Sequence, residues 1–87
     1  MKKVEIYTLN YCPYCKKALN TLKEQGIEYI NIDSTENEEQ ISKELKEKYN
    51  IQGEVTYPQI IVDNVRFGGN DTLQNSILTG EFEKKFK

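Results

Sequence analysis

The stretch that most limits what this chain can become is Cys12-Pro13-Tyr14-Cys15, because the hydrophobic period changes across it. Before it, residues 4–9 (Val-Glu-Ile-Tyr-Thr-Leu) alternate like a half-buried strand rich in β-formers. After it, Cys15, Ala18, Leu19 and Leu22 fall three and four apart, with Lys16, Lys17, Asn20, Lys23 and Glu24 between them, which is a helical period. Pro13 suits the first helical turn, where its missing N–H costs nothing. Gly26 suits the position just past the helix end, which favours positive φ. Cys12 is therefore expected at the mouth of a helix N-terminus, directly after a strand. Unpaired N–H groups and the positive end of the helix dipole stabilise an anion there, which favours the thiolate form of a sulfur in that position.

A C-x-x-C pair also occurs as half of a structural zinc site, but such a site needs four ligands, usually Cys or His. This chain has two Cys and no His, so carboxylates would have to complete the shell and no metal is expected. A purely structural disulfide is the other bland reading. Closing so short a loop removes only about 2 kcal/mol of denatured-state entropy, a poor staple between residues already one helical turn apart. A redox-active pair agrees with strand, motif and helix together. With no His, the commonest general base is missing and the chemistry must rest on thiols.

With 87 residues, the sequence is expected to form one domain over 1–87. Its formal charge of -2 gives no reason to expect nucleic acid or an anionic membrane as partner. Met1-Lys2-Lys3 is followed by Glu5, Thr8 and Asn10 rather than by an apolar run, so no signal peptide is expected. No stretch approaches membrane-spanning length. Two cysteines suited to cycling fit a reducing cytoplasm better than a disulfide scaffold.

Residues 28–32 read as a second strand, and strand–helix–strand over about 30 residues predicts a parallel pair. Ser34 or Thr35 is expected to cap a second helix, with Thr35-Glu36-Asn37-Glu38 at capping-box spacing. Ile41, Leu45 and Tyr49 form its apolar stripe, and Glu39/Lys43 and Glu44/Lys48 are spaced for i, i+4 pairing. Residues 50–57 read as loop, 58–62 as a strand, Asp63-Asn64 as a two-residue turn and 65–67 as the partner strand. Gly68-Gly69 breaks the chain. Asn70 or Asp71 is expected to cap a third helix carrying Leu73, Ile77 and Leu78, and Phe82 and Phe86 mark a short final one. The order β-α-β-α-β-β-α implies an α/β fold, a small four-stranded mixed sheet flanked by helices.

In this order of elements the chain resembles a dithiol glutaredoxin of the thioredoxin fold, nearly end to end. The resemblance is carried by Cys12-Pro13-Tyr14-Cys15, by Thr56-Tyr57-Pro58 before the third strand, and by Gly68-Gly69-Asn70-Asp71-Thr72 opening the third helix. It implies a cis peptide before Pro58. It also implies that the Tyr57 backbone pairs with the cysteine of glutathione, that Tyr14 flanks the same groove, and that Asn70, Asp71 and Thr72 take the γ-glutamyl end. A helix N-terminus suits that carboxylate, and Asp71 suits the ammonium.

The resemblance further implies a monomer with no bound cofactor, using glutathione as reducing co-substrate. Disulfide-containing or glutathionylated proteins would be its partners. Cys12 would attack the substrate disulfide and Cys15 would resolve the mixed disulfide. Two positions depart from the family pattern. Leu9 stands where a Lys is usual, and Glu54 where an Arg or Gln is often found. Both positions usually face the glycyl carboxylate, so weakened glutathione affinity is expected. Three alternatives compete: a redoxin reduced by a flavoprotein reductase, an iron–sulfur carrier (disfavoured by the bulk of Pro13 and Tyr14), and a docking domain with incidental thiols.

Overall fold

The structure is a computed structural model that describes residues 2–87, and Met1 of the short basic start lies outside the described residues. The strand expected before the cysteines is β1 (Val4–Thr8), and the helix after them is α1 (Pro13–Glu24). Cys12 is the N-cap of α1 and Pro13 its first residue. At the other end Gly26 takes φ 72°. Ile27 N–H then bonds the Leu22 carbonyl at 2.9 Å and Gly26 N–H that of Lys23 at 3.1 Å, the paired closure that a left-handed residue after a helix permits.

The chain continues through β2 (Ile30–Asp33), a 3₁₀ turn (Thr35–Asn37) and α2 (Glu38–Tyr49). Next come β3 (Gln59–Val62) and β4 (Val65–Gly68), joined through Asp63 and Asn64 at φ 49° and 66°. Positive φ at both central residues matches the turn to the twist of the strands. Helices α3 (Asn70–Thr79) and α4 (Glu81–Phe86) follow. The four strands lie in the order β2-β1-β3-β4, with β1 parallel to β2 and antiparallel to β3. This is the expected mixed sheet with flanking helices.

Strand alternation divides the sheet into two faces. On one, Val4, Ile6, Ile60 and Val62 are buried among Ala18 and Leu22 of α1, Leu73 of α3, and Phe82 and Phe86 of α4. Phe82 and Phe86 stack at 4.6 Å, and Phe67 meets Phe86 edge-on at 4.8 Å. The other face turns Tyr7 toward Tyr49, Glu44 and Lys48 of α2, and burial raises the pKa of its phenol.

Several local expectations are corrected. The capping box does not form. Thr35 Oγ1 donates to Asp33 Oδ1 and accepts from Asn10 N–H, which leaves a 3₁₀ turn where the helix was expected to start, and α2 begins at Glu38. Glu39/Lys43 and Glu44/Lys48 do not pair among the described residues. Glu44 instead accepts from Gln40 at 3.3 Å and Lys48 lies over the Tyr49 ring. Leu78 is 84% exposed rather than part of the buried stripe. Gly69, not Asn70 or Asp71, occupies the cap of α3.

Candidate active site

Cys12 and Cys15 share one end of α1 but not one environment. Cys12 is half-buried, and its Sγ accepts a hydrogen bond from Cys15 N–H at 3.2 Å, so the sulfur itself caps the helix. The Cys12 thiol also points at the Tyr57 carbonyl, 3.5 Å away. Cys15 lies one turn inside and is buried. Burial, reinforced by a hydrogen bond with Cys12 and partly offset by one from the Leu9 backbone, pushes its thiol up to about 12. The outer sulfur is thus accessible and the inner one is held as a thiol.

Beside this pair runs a groove of about 410 Å³ lined by Tyr14, Thr56, Tyr57, Pro58 and residues 69–72. All six residues expected to contact substrate (Tyr14, Tyr57, Pro58, Asn70, Asp71 and Thr72) come together in it. The Tyr57–Pro58 peptide is cis. One wall is the start of α3. Its cap residue has no side chain to offer, so the first-turn N–H groups are left for another acceptor.

The two glycines set how closely that wall approaches. A Cβ on Gly69 would meet the Pro58 carbonyl at 3.3 Å, and one on Gly68, at φ 139°, would meet Thr72 Oγ1 at 2.7 Å. The Gly-Gly step therefore does more than end a strand. It lets the helix start close against the Pro58 loop.

Leu9 and Glu54 differ in what they can do. Leu9 is 7% exposed and its carbonyl accepts Cys12 N–H at 3.2 Å, so its side chain is packed inward. Glu54 is exposed, in the segment leading into the groove. Only the second is placed to act on a charged ligand.

Three contacts that hold the site were not expected from sequence. Ser42 Oγ pairs with the Tyr57 hydroxyl at 2.9 Å, Thr35 Oγ1 holds Asn10 N–H at 2.8 Å, and Tyr11 O–H donates to the Glu38 carboxylate. That last bond raises the pKa of the Tyr11 hydroxyl. All three join the loops around Cys12 to α2 or the turn before it. No local pattern announces them, because each spans 15 to 27 residues of sequence.

An accessible sulfur with a protonated one directly behind it is what thiol–disulfide exchange requires, and on this sheet it defines a dithiol oxidoreductase of the thioredoxin fold. Residues 4–67 match the glutaredoxin family. The chain is 35% identical over 79 residues to glutaredoxin 1 of Rickettsia bellii, covering 91% of this chain and 81% of that one. Among solved structures, the glutaredoxin of Brucella melitensis superposes with a TM-score of 0.80 at 33% identity, covering 98% and 88% of the two chains. A buckwheat glutaredoxin–glutathione complex superposes at 0.83 over 98% and 76%; at 17% identity that likeness speaks to the fold. The chain belongs to the glutaredoxin family and is a glutathione-dependent thiol–disulfide oxidoreductase.

Proposed function

We propose that Cys12 is the attacking thiol and Cys15 the resolving one. Cys12 thiolate attacks one sulfur of a substrate disulfide, forming a mixed disulfide and expelling the other sulfur as a thiolate. Cys15 then loses its proton and attacks Cys12 Sγ, releasing the substrate as a thiolate and leaving the Cys12–Cys15 disulfide. Two glutathione molecules reduce that bond in succession and leave as glutathione disulfide, so the electrons balance. On a glutathionylated protein, Cys12 takes the glutathionyl group and a second glutathione removes it, with no need for Cys15.

Glutathione occupies the groove, its cysteine against the Tyr57 backbone beside Tyr14 and Pro58. Its γ-glutamyl carboxylate lies at the start of α3 near Asn70 and Thr72, and its ammonium meets Asp71. The observation that carries this reading is the difference between the sulfurs: Cys15 buried and pushed up to about 12, Cys12 only half-buried with its thiol at the Tyr57 carbonyl. The chain acts as one domain over 1–87, a cytoplasmic monomer without a bound cofactor, on disulfide-containing or glutathionylated proteins. Neither nucleic acid nor membrane is its partner, a reading its formal charge of -2 supports.

The test is a pair of variants. Cys12→Ser abolishes both reduction of a protein dithiol and removal of glutathione, while Cys15→Ser loses the first and keeps the second. Activity retained by Cys12→Ser would reverse the assignment.

A further inference from the structure

On the α2 face of the sheet, behind the groove, is a buried polar side chain that the chemistry above does not use. Gln59 is 1% exposed, yet both ends of its carboxamide are occupied. Nε2 donates to the Thr56 carbonyl at 2.7 Å, and Oε1 accepts from Arg66 Nε at 2.9 Å. Arg66 reaches it from β4 because the two-residue turn at Asp63 and Asn64 pairs Val62 with Val65 and Ile61 with Arg66. Arg66 thus stands opposite Ile61, whose side chain shares the face of Gln59, so its side chain lies diagonally across from the carboxamide.

We propose that Gln59, locked by Arg66, is a positioning residue that aims the Thr56–Tyr57 peptide at the substrate, so that Arg66 tunes substrate binding from outside the groove. The inference rests on Tyr57 being the residue whose backbone pairs with the substrate. A trans peptide is planar, with its C=O and N–H pointing in opposite directions. Drawing the Thr56 carbonyl inward onto Gln59 therefore turns the Tyr57 N–H outward. That N–H has no hydrogen-bond partner among the described residues, and the Tyr57 carbonyl faces Cys12 Sγ at 3.5 Å. Together they offer the donor and acceptor that an extended substrate backbone needs. Arg66 sets which way the carboxamide points. Without it, the amide is free to turn its oxygen onto the Thr56 carbonyl, and two acceptors repel.

The test is steady-state kinetics on a glutathionylated peptide, with the rate of Cys12 alkylation by iodoacetamide measured alongside. Arg66→Met raises KM about fivefold, the size of one net hydrogen bond, and leaves kcat within about twofold. Arg66→Lys, which keeps a donor, recovers most of the loss. Gln59→Met raises KM at least as much, and the double variant is no worse than Gln59→Met alone, since Arg66 acts only through Gln59. Alkylation is unchanged throughout, because a small reagent needs no backbone pairing. If Gln59→Met does not fold, the two Arg66 variants decide. An active parent whose Arg66→Met variant keeps its KM overturns the inference alone, as do additive effects or a parallel fall in alkylation. A parent inert on the peptide overturns the reading of the groove and this inference with it.

Discussion

Toward α1, α3 and α4 the sheet presents Val4, Ile6, Ile60 and Val62, and what holds the layers together is apolar burial around Leu22, Leu73 and the stacked Phe82–Phe86 pair. Toward α2 it presents Tyr7, Gln59 and the fully buried Ile61, with Leu45 of α2 and Ile51 buried as well. Here single hydrogen bonds also tie α2 and the turn before it to the loops around Cys12: Ser42 to Tyr57, Thr35 to Asn10, Glu38 to Tyr11. Burial is strong but has no direction, so it fixes that the layers meet and not where a loop points. A hydrogen bond is worth about 1 kcal/mol net, but it sets distance and angle. The larger apolar cluster lies on the first face; the bonds that give the site its shape lie on the second.

The contrast breaks if the wrong property moves. Leu22→Ala on the packed face costs about 2–5 kcal/mol of unfolding free energy and leaves kcat/KM per folded molecule unchanged, read by denaturant titration and kinetics. On the α2 face, Ser42→Ala costs no more than about 1 kcal/mol in the same titration yet raises KM for glutathionylated peptide. A larger stability loss there, or an altered KM in Leu22→Ala, would erase the distinction.

Smaller still is the charge at the groove rim. Glu54→Arg raises kcat/KM by the equivalent of about 0.2–1 kcal/mol at low ionic strength, and the gain shrinks as salt is added. A gain that ignores salt would place the effect in packing. Leu9→Lys is no counterpart, because it would put an ammonium among buried side chains.

The last effect shows only at alkaline pH. The Cys15 thiol goes from 9.0 to about 12 on folding, so the folded state holds that proton more tightly. Its contribution is fully present below pH 9.0 and is lost as pH rises toward about 12. Cys15→Ser should lack that part of the alkaline decline, seen as the difference between the two denaturation midpoints across the window.

Most of the architecture was legible because periodicity and punctuation agreed. The step from period two to helical spacing at Cys12 marked β1 and α1, and Asp63-Asn64 marked the hairpin. What failed was local chemistry overruled by partners distant in sequence. Thr35 is sound capping material, but it is engaged with Asp33 and Asn10. Leu78 fits the spacing of its helix and still points outward, a direction that spacing alone does not fix. In the site, the cysteines and groove residues were legible because each sits in a motif with a chemical reason. Ser42, Gln59 and Arg66 were not, since their roles come from how α2 packs on the sheet and from strand register, which no short window contains.

Gly68 sets one position apart from the other turn glycines. Added side chains at Gly26, Gly53 and Gly80 would meet nothing within 4 Å, and their φ values of 72°, 72° and 86° lie in or near the region that Asn visits. A codon-by-codon scan should find replacements there, Asn foremost. At Gly68 the φ of 139° lies far from that region, and the first atom of any side chain would land 2.7 Å from Thr72 Oγ1, at the groove wall. That column of the scan should stand empty, and its losses should register first as lost glutathione turnover, with the fold still in place.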